Sequence, residues 1–263
     1  MDSSRLTFKP RIIIIGGGNV ATHFTCAFSQ TEASIIALAP GCRQSVADLS
    51  SNYGINCIQK VDDIPSDIDA VIIATNDRAT AEVANLLPQI RGVVIHTSGS
   101  VPLSALSTKH NRAGVLYPLQ TFSKNVAVDI KEVPFFIEAT DNSSEAFIRQ
   151  LASLISNHIY SADSAQRKHL HIAGVLTSNF PIFLMQIAQR TLADAGFPLE
   201  VVQPLMKASI AKAFSIGPHE ALTGPARRGD KATILAHQAM LPEYAANIYQ
   251  IISNAILNEY HPL

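Results

Sequence analysis

The sequence of 263 residues has few cysteines, few charged side chains and no cluster of basic residues. Its three cysteines, Cys26, Cys42 and Cys57, are odd in number and lack the spacing of a metal site, which favours reduced thiols over a disulfide framework. The 20 basic and 21 acidic residues nearly balance, so no positive surface is expected that would follow a nucleic-acid backbone. We therefore expect neither a metal nor a nucleic-acid partner.

Long apolar runs are also lacking. The first ten residues contain no apolar signal core, and the longest apolar run elsewhere falls short of a membrane span. This pattern predicts a cytoplasmic protein without a membrane partner. Hydrophobic residues nevertheless make up 47% of the chain, which is typical of a well-buried globular protein with one large domain or two.

The most informative stretch joins four isoleucines, residues 12–15, to the motif Gly16-x-Gly18-x-x-Ala21 and a helix-like run over 20–29. The isoleucines suit a strand buried on both faces of a parallel sheet, and the motif matches the dinucleotide fingerprint in its alanine form. Gly16 permits the tight turn, Gly18 lets the backbone approach a pyrophosphate, and Ala21 allows close packing of the helix on the strand. The predicted cofactor-binding residues of this turn are Gly16, Gly17, Gly18, Asn19, Val20 and Ala21. The alternative is a tight turn with a purely structural role.

The end of the second predicted strand, residues 34–39, bears on the choice of cofactor. An NAD-binding domain usually places an acidic residue there to bind the ribose hydroxyls, and this sequence has none. Arg43 follows instead and is placed to meet a 2′-phosphate, which favours NADP over NAD. In the alternative interpretation, Arg43 only begins a solvated helix over 44–53.

Strands and helices continue to alternate up to about residue 157. Further strands are predicted at 55–58, 70–74, 93–96, 115–117 and 135–138, and helices at 80–87 and 142–157, the latter capped by Ser143 or Ser144. A polar loop with Thr75 and Asn76 follows the fourth strand, and a second polar loop with Ser98 follows the fifth. Because the carboxyl ends of parallel strands meet at one edge, both loops are expected beside the cofactor.

From residue 163 onward the pattern becomes helical. Helices are predicted at 164–195, 199–215, 231–240 and 243–259, the first of them ending at Gly196 with Pro198 beyond it. The sequence therefore predicts an α/β Rossmann-type dinucleotide-binding domain over 1–160. An all-α domain for substrate binding and dimerisation is predicted over 161–263.

One face of the long helix carries polar residues. On a wheel of about 100° per residue, Lys168, His171, Ser178 and Asn179 fall within one arc of about 100° that also contains apolar residues, as in the wall of a pocket. Buried polar groups need partners, so a ligand or an interhelical network is expected there. Lys168 and Asn179 are about 16 Å apart along the axis, so they cannot both contact one reacting carbon. His171 or Asn179 is the better candidate near the nicotinamide, and Lys168 could equally be a surface lysine.

The loop over 222–230 contains Arg227, Arg228 and Asp230 just before a helix. Two arginines beside a helix start can hold an anionic substrate group, although Arg228 and Asp230 could equally form a local cap and ion pair. His237 lies about two turns into that helix. His96, at the end of the fifth strand, fits a core histidine equally well.

Taken together, these motifs resemble one family. They are Gly16-Gly17-Gly18-Asn19-Val20-Ala21, His96-Thr97-Ser98-Gly99-Ser100, Tyr117-Pro118-Leu119-Gln120-Thr121-Phe122, His171 through Phe180, and Thr223-Gly224-Pro225 through Asp230. They are similar to a bacterial family of NADP oxidoreductases with a Rossmann-like N-terminal domain and a C-terminal domain of unknown function. The resemblance implies an architecture like that of pyrroline-5-carboxylate reductase, ketopantoate reductase and 6-phosphogluconate dehydrogenase, in which the helical domain commonly makes the dimer.

The sequence departs from the wider superfamily at Val175. Hydroxy-acid members carry a catalytic Lys four residues before an Asn on this helix, and Val175 takes that position relative to Asn179. Alcohol oxidation by a Lys acid/base is therefore not expected, whereas imine reduction needs such a group less. Tyr117 also stands where several relatives have a His.

The resemblance implies an NADP(H)-dependent oxidoreductase, active as a homodimer on a small imine, keto acid or similar substrate in a cleft between the domains. Catalytic candidates are His171, Asn179, Ser98 and Lys168, and substrate contacts are expected from Tyr117, Gln120 and Arg228. The alternative is a non-catalytic NADP(H)-binding sensor or assembly protein that has kept the fold.

Overall fold

Seven strands form one sheet in residues 8–262, the part of the chain that the computed structural model describes. The strands are β1 (Arg11–Ile15), β2 (Ser34–Ala39), β3 (Ala70–Ile73), β4 (Val93–His96), β5 (Ala113–Pro118), β6 (Pro134–Ala139) and β7 (His158–Ser161). Their order across the sheet is β2-β1-β3-β4-β5-β6-β7, and only the β5–β6 pair is antiparallel. The α/β Rossmann-type prediction is confirmed.

The isoleucines of β1 explain why the sheet is covered on both faces. Ile12 and Ile14 pack into one apolar cluster with Phe24 and Phe28, whereas the alternate positions of the strand face a second cluster on the other side. All four isoleucines are fully buried. Since successive strand residues point to opposite faces, an unbroken apolar run is what a strand needs between two layers of helices.

Five helices accompany the strands of the sheet. They are α1 (Asn19–Phe28), α2 (Gln44–Tyr53), α3 (Asp77–Leu86), α4 (Ser104–Ser107) and α5 (Asn142–Ser153). The N-cap of α5 is Asp141, which accepts hydrogen bonds from the backbone amides of Ser143 and Ser144, so those two serines are not the caps. An Asp in this position satisfies two free amides of the helix start at once.

One predicted strand was wrong and one observed strand was missed. Residues 55–58 form no strand of the sheet: Cys57 makes an isolated bridge with Leu38 at the edge of β2. β7, by contrast, was missed, because its four residues are half-buried or exposed and lack an apolar alternation. It adds an edge strand beside β6, so the sheet still has seven strands.

The long helix is interrupted in its middle. It consists of α6 (Ser164–Gly174), a π-helical turn (Val175–Asn179) and α7 (Phe180–Asp194), and the chain turns away at Gly196 with φ +78°. A π turn holds an extra residue per turn, so the wheel drawn for a straight α-helix does not hold beyond Gly174. By length and composition alone the stretch Ser164–Asp194 could cross a membrane, which is weak evidence because core helices of soluble proteins pass the same test.

The described chain forms two compact units, which divide between Ser178 and Asn179. The second unit is helical, with α7, α8 (Gln203–Ile216), α9 (Pro218–Ala221), α10 (Lys231–Met240) and α11 (Glu243–Tyr260). An apolar cavity of about 610 Å³ lies between α7, α10 and α11. The predicted boundary at 160/161 coincides with the end of the sheet, and its position stays a prediction.

Candidate active site

The glycine turn after β1 forms an open cradle. Gly16 has φ +129°, and a Cβ there would lie 2.3 Å from the carbonyl oxygen of Ala74, so only glycine fits between the ends of β1 and β3. A Cβ on Gly18, in contrast, would meet nothing within 4 Å. Gly18 is the N-cap of α1 and no side chain caps its first amides, which leaves these amides and the space before them for an anionic group. The residues present therefore fit the pyrophosphate of a dinucleotide.

The other residues of this turn hold it in place. Asn19 donates from Nδ2 to the carbonyl oxygen of Phe122 at 2.7 Å and so joins the turn to the loop after β5. Ala21 is fully buried, as close packing of α1 on the sheet requires, and Val20 is partly buried against the core. The predicted cofactor role of Asn19 can therefore involve its backbone amide, since its side-chain amide is engaged elsewhere.

Arg43 lies at the start of α2, directly beside the glycine turn. It is the exposed N-cap residue of α2. The glycine turn lies against the first turn of the same helix, because a Cβ on Gly17 would lie 2.6 Å from Oγ of Ser45. No carboxylate pairs with Arg43 among the residues that the structure describes. A free guanidinium at this place fits a phosphate on the ribose next to the turn.

The loop after β3 uses its polar side chains locally. Asn76 caps α3 by accepting a hydrogen bond from the amide of Ala79 at 3.0 Å, and the Thr75 hydroxyl lies 3.4 Å from the carbonyl oxygen of Asn76. Asp77, the first residue of α3, accepts a hydrogen bond from the Ser100 hydroxyl. The predicted roles of Thr75 and Asn76 stay predictions, and Asp77 adds a carboxylate to the site that was not among the candidates.

The loop after β4 is folded around Ser98. Its Oγ accepts hydrogen bonds from the amides of Ser100 at 3.1 Å and Val101 at 3.0 Å. It also lies 3.4 Å from the Ser100 hydroxyl, whose own proton goes to Asp77, so the Ser98 hydroxyl is engaged within its own loop. The amide of Ser98 donates to Nδ1 of His96 at 3.2 Å. His96 is fully buried, and burial lowers the pKa of its imidazole to about 4. His96 is thus a neutral core histidine that holds this loop.

The side chains of Tyr117 and His171 approach each other beside the loop after β4. Tyr117, near the end of β5, is only 8% exposed. Its ring packs closely on Gly99, because a Cβ added to Gly99 would lie 2.6 Å from Cζ of Tyr117. Its hydroxyl lies 3.4 Å from Nδ1 of the exposed His171 on α6. Burial chiefly, and the negative charge of Asp77, raise the pKa of Tyr117, while the positive charge of Arg167 opposes them. At neutral pH the phenol therefore carries its proton.

Arg167 fixes α6 on the sheet. Its side chain is fully buried, pairs with Glu138 on β6 and donates to the carbonyl oxygen of Val101 at 2.8 Å. Ser164 also donates to Glu138, at 2.8 Å. One turn further along the helix stands His171, so this ion pair sets the position of the imidazole. Arg167 and Glu138 were missed because charged side chains are rarely buried, and only the folded chain shows that these two are paired.

Four other residues were predicted for the site. Lys168 is exposed on α6, and Asn179 is the exposed last residue of the π turn. Gln120 is exposed and its Oε1 accepts a hydrogen bond from the amide of Thr121 at 2.8 Å. Arg228 belongs to the second unit, in the loop before α10. Asp230 there is the N-cap of α10, as predicted. The roles of Lys168, Asn179, Gln120 and Arg228 stay predictions.

Comparison with known proteins shows the family and the fold of the chain. A family model described as a domain of unknown function (DUF2520) matches residues 133–256. The search of curated proteins found no match. The solved structure of a protein described as a putative NADP oxidoreductase from Bacteroides fragilis is 32% identical, with 95% of this chain and 98% of that chain covered and a TM-score of 0.88.

Two more distant structures share the fold. A pyrroline-5-carboxylate reductase from Streptococcus pyogenes is 18% identical, with 97% of this chain and 99% of that chain covered and a TM-score of 0.64. An imine reductase from Myxococcus stipitatus in complex with NADP+ is 13% identical, with 95% and 92% covered and a TM-score of 0.63. At these identities the likeness concerns the fold. The relation to the Bacteroides fragilis protein spans nearly the whole of both chains, and this chain therefore belongs to its family, that of Rossmann-type NADP oxidoreductase-like proteins with a helical C-terminal domain of unknown function.

Proposed function

We propose that the protein is an NADPH-dependent reductase of a C=N or C=O bond in a small polar substrate. One observation carries this proposal: the open glycine cradle and the Tyr117–His171 pair stand at the same edge of one sheet, where its parallel strands end. In doubly wound sheets ligands bind at this edge. Bound NADPH would supply the hydride, and the chain's own residues would hold the substrate and deliver the proton.

The chain's side chains favour NADP over NAD in this proposal. The amides at the start of α1 would hold the pyrophosphate, and Arg43 would hold the 2′-phosphate. Replacing Arg43 with Gln should weaken NADPH binding about 10- to 100-fold and leave NADH binding nearly unchanged, as expected for the loss of a charge-assisted hydrogen bond. Arg91→Gln is the control, because Arg91 precedes β4 at the opposite edge of the sheet. Equal affinity of the wild type for NADPH and NADH would refute the phosphate assignment.

Two arguments favour an imine over an alcohol as the substrate. Two of the proteins with this fold are a pyrroline-5-carboxylate reductase and an imine reductase. In addition, Val175 stands where hydroxy-acid members of the superfamily have their catalytic Lys, and it opens the π turn here. An apolar residue cannot take a proton from an alcohol, so reduction of a C=N bond fits this site better.

The test is NADPH oxidation, followed by absorbance, across a panel of cyclic imines, keto acids and deazaflavins. The wild type should oxidise NADPH with at least one panel member. Gly18→Asp should be inactive, because a carboxylate in the open cradle repels the pyrophosphate, whereas the fold should tolerate it since a Cβ there meets nothing. Tight NADPH binding without turnover of any panel member would instead support the non-catalytic sensor.

We further propose that the protein acts as a homodimer through its second unit. α8 has no buried residue, and Phe214 on this helix is 90% exposed. Exposed apolar surface of this kind usually marks an interface. We expect a dimeric mass in light scattering for the wild type and a monomeric mass for Phe214→Glu. A monomeric wild type would refute this part of the proposal.

A further inference from the structure

Tyr117 and His171 differ in their access to water. The Tyr117 phenol is buried between β5 and the loop at Gly99, whereas the His171 imidazole is exposed on α6. The two side chains approach through one pair of atoms, the phenol oxygen and Nδ1, at 3.4 Å. The second ring nitrogen of His171 is left for solvent. The pair therefore links bulk water to a buried hydroxyl.

The surroundings keep the phenol in its protonated form. The charged groups that act on the Tyr117 phenol are Asp77 from α3 and Arg167 from α6, which is paired with Glu138. Of these, Asp77 raises the pKa of Tyr117 in the same direction as burial does, and the opposing effect of Arg167 is smaller than that of burial, so the pKa is raised overall. A buried phenol that holds its proton at neutral pH can donate it but cannot serve as a base.

Both partners are held in place. The Tyr117 ring is confined by Gly99 on one side and lies 6.4 Å from the ring of Phe136, centroid to centroid, on the neighbouring strand. His171 follows the buried Arg167 by one helical turn, and Arg167 is anchored to β6 and to the loop after β4. Proton transfer requires such fixed geometry more than it requires any single strong hydrogen bond.

We propose that Tyr117 is the catalytic acid of the reduction and that His171 conducts the proton to it from solvent. This inference rests on the proposed function. NADPH held by the amides at the start of α1 and by Arg43 would supply the hydride to the carbon of the C=N or C=O bond, and the π electron pair of that bond would move to the nitrogen or oxygen. That atom takes the proton of the Tyr117 hydroxyl, and the phenolate takes a proton from Nδ1 of His171. As Nδ1 of the neutral imidazole gives up this proton, Nε2 takes one from solvent, and exchange of the ring protons with water then restores the Nδ1–H tautomer. One hydride and one proton are thus consumed in each turnover.

The first test does not depend on turnover. In the complex with NADP+, ¹⁵N NMR of labelled histidine should show Nδ1 of His171 in a hydrogen bond, and Tyr117→Phe should shift that nitrogen signal. Tyr160→Phe is the matched control, since Tyr160 is exposed and stacks on the other side of Phe136. A His171 signal that is unchanged in Tyr117→Phe would overturn the proposal, because the two groups would not be coupled.

The second test measures hydride transfer from NADPH to 2-methyl-1-pyrroline. Tyr117→Phe should lose about 100-fold or more in turnover, the usual contribution of a general acid, with an unchanged Kd for NADPH. His171→Ala should also be slow, and added imidazole should restore part of its rate, whereas His169→Ala should resemble the wild type. Rescue by imidazole distinguishes proton conduction from a purely structural role.

The outcomes separate the two proposals. If the wild type oxidises NADPH with the pyrroline and Tyr117→Phe is equally active, only the assignment of Tyr117 fails. If His171→Ala is slow but imidazole does not accelerate it, His171 is a positioning residue and the proton path is wrong. If the wild type is inactive with the pyrroline and with every other panel member, the proposed reduction itself fails and this inference fails with it.

Discussion

The buried ion pair between Arg167 and Glu138 gives the sharpest prediction about stability. The Arg167 side chain is 0% exposed and that of Glu138 is 19% exposed. Glu138→Gln removes the charge of the carboxylate and leaves a buried guanidinium without compensation, which typically costs about 3–5 kcal/mol. For a unit of this size we expect a fall in melting temperature of about 6–20 °C, at about 2–4 °C per kcal/mol.

The control is an ion pair of the same types at the surface. Arg149 and Glu145 pair at 2.9 Å across one turn of α5, with side chains 44% and 39% exposed. Exposed pairs of this spacing are worth about 0.3–0.5 kcal/mol, so Glu145→Gln should change the melting temperature by about 2 °C at most. Both variants can be compared by circular dichroism during thermal and urea unfolding.

A double variant completes this experiment. Replacing both partners, in Glu138→Gln with Arg167→Met, removes the uncompensated charge and should recover most of the lost stability. If Glu138→Gln costs no more than Glu145→Gln, the ion pair does not anchor α6. The Arg167–Glu138 ion pair would then not position His171.

Three further predictions concern the site and the second unit. His96 has a folded-state pKa of about 4, below its unfolded value of 6.5, so the unfolded chain binds the extra proton between these values and stability should fall by about 3 kcal/mol as the pH drops from 6.5 to 4. In urea titrations His96→Asn should lack this loss, and an equally steep loss in that variant would contradict the assignment. Gly16→Ala should destabilise by about 3 kcal/mol or more, because of its positive φ and the nearby Ala74 carbonyl, while Gly18→Ala should change stability by less than about 0.5 kcal/mol. Equal effects of the two glycine variants would mean that the cradle is not shaped as described. Phe214→Glu should lower the mass in light scattering to that of a monomer and leave NADPH binding intact, and a dimeric Phe214→Glu would place the interface elsewhere.

The elements with local signals could be predicted from the sequence. The isoleucine run and the glycine turn led to the Rossmann-type sheet and to the tight turn after β1, because each is a property of neighbouring residues. The caps at Asp230 and Gly196 followed from the same kind of signal.

The features that depend on distant partners could not be predicted. Arg167 and Glu138 lie 29 positions apart in the sequence and are buried only because they face each other. Asp77 joins the candidate site because the Ser100 hydroxyl, in the loop after β4, donates a hydrogen bond to its carboxylate. β7 was missed because an edge strand needs no apolar alternation, and the π turn at 175–179 has no simple sequence pattern.

The central claim is that the edge of the sheet at Gly18, Tyr117 and His171 is the site of an NADPH-dependent reduction. The most direct measurement is the rate of NADPH oxidation at saturating concentrations of the panel substrates, for the wild type and for Gly18→Asp. We expect oxidation with at least one imine or carbonyl compound for the wild type, and none for the variant, which should remain folded. A wild type that oxidises NADPH with no panel member, or a Gly18→Asp variant as active as the wild type, would contradict the claim.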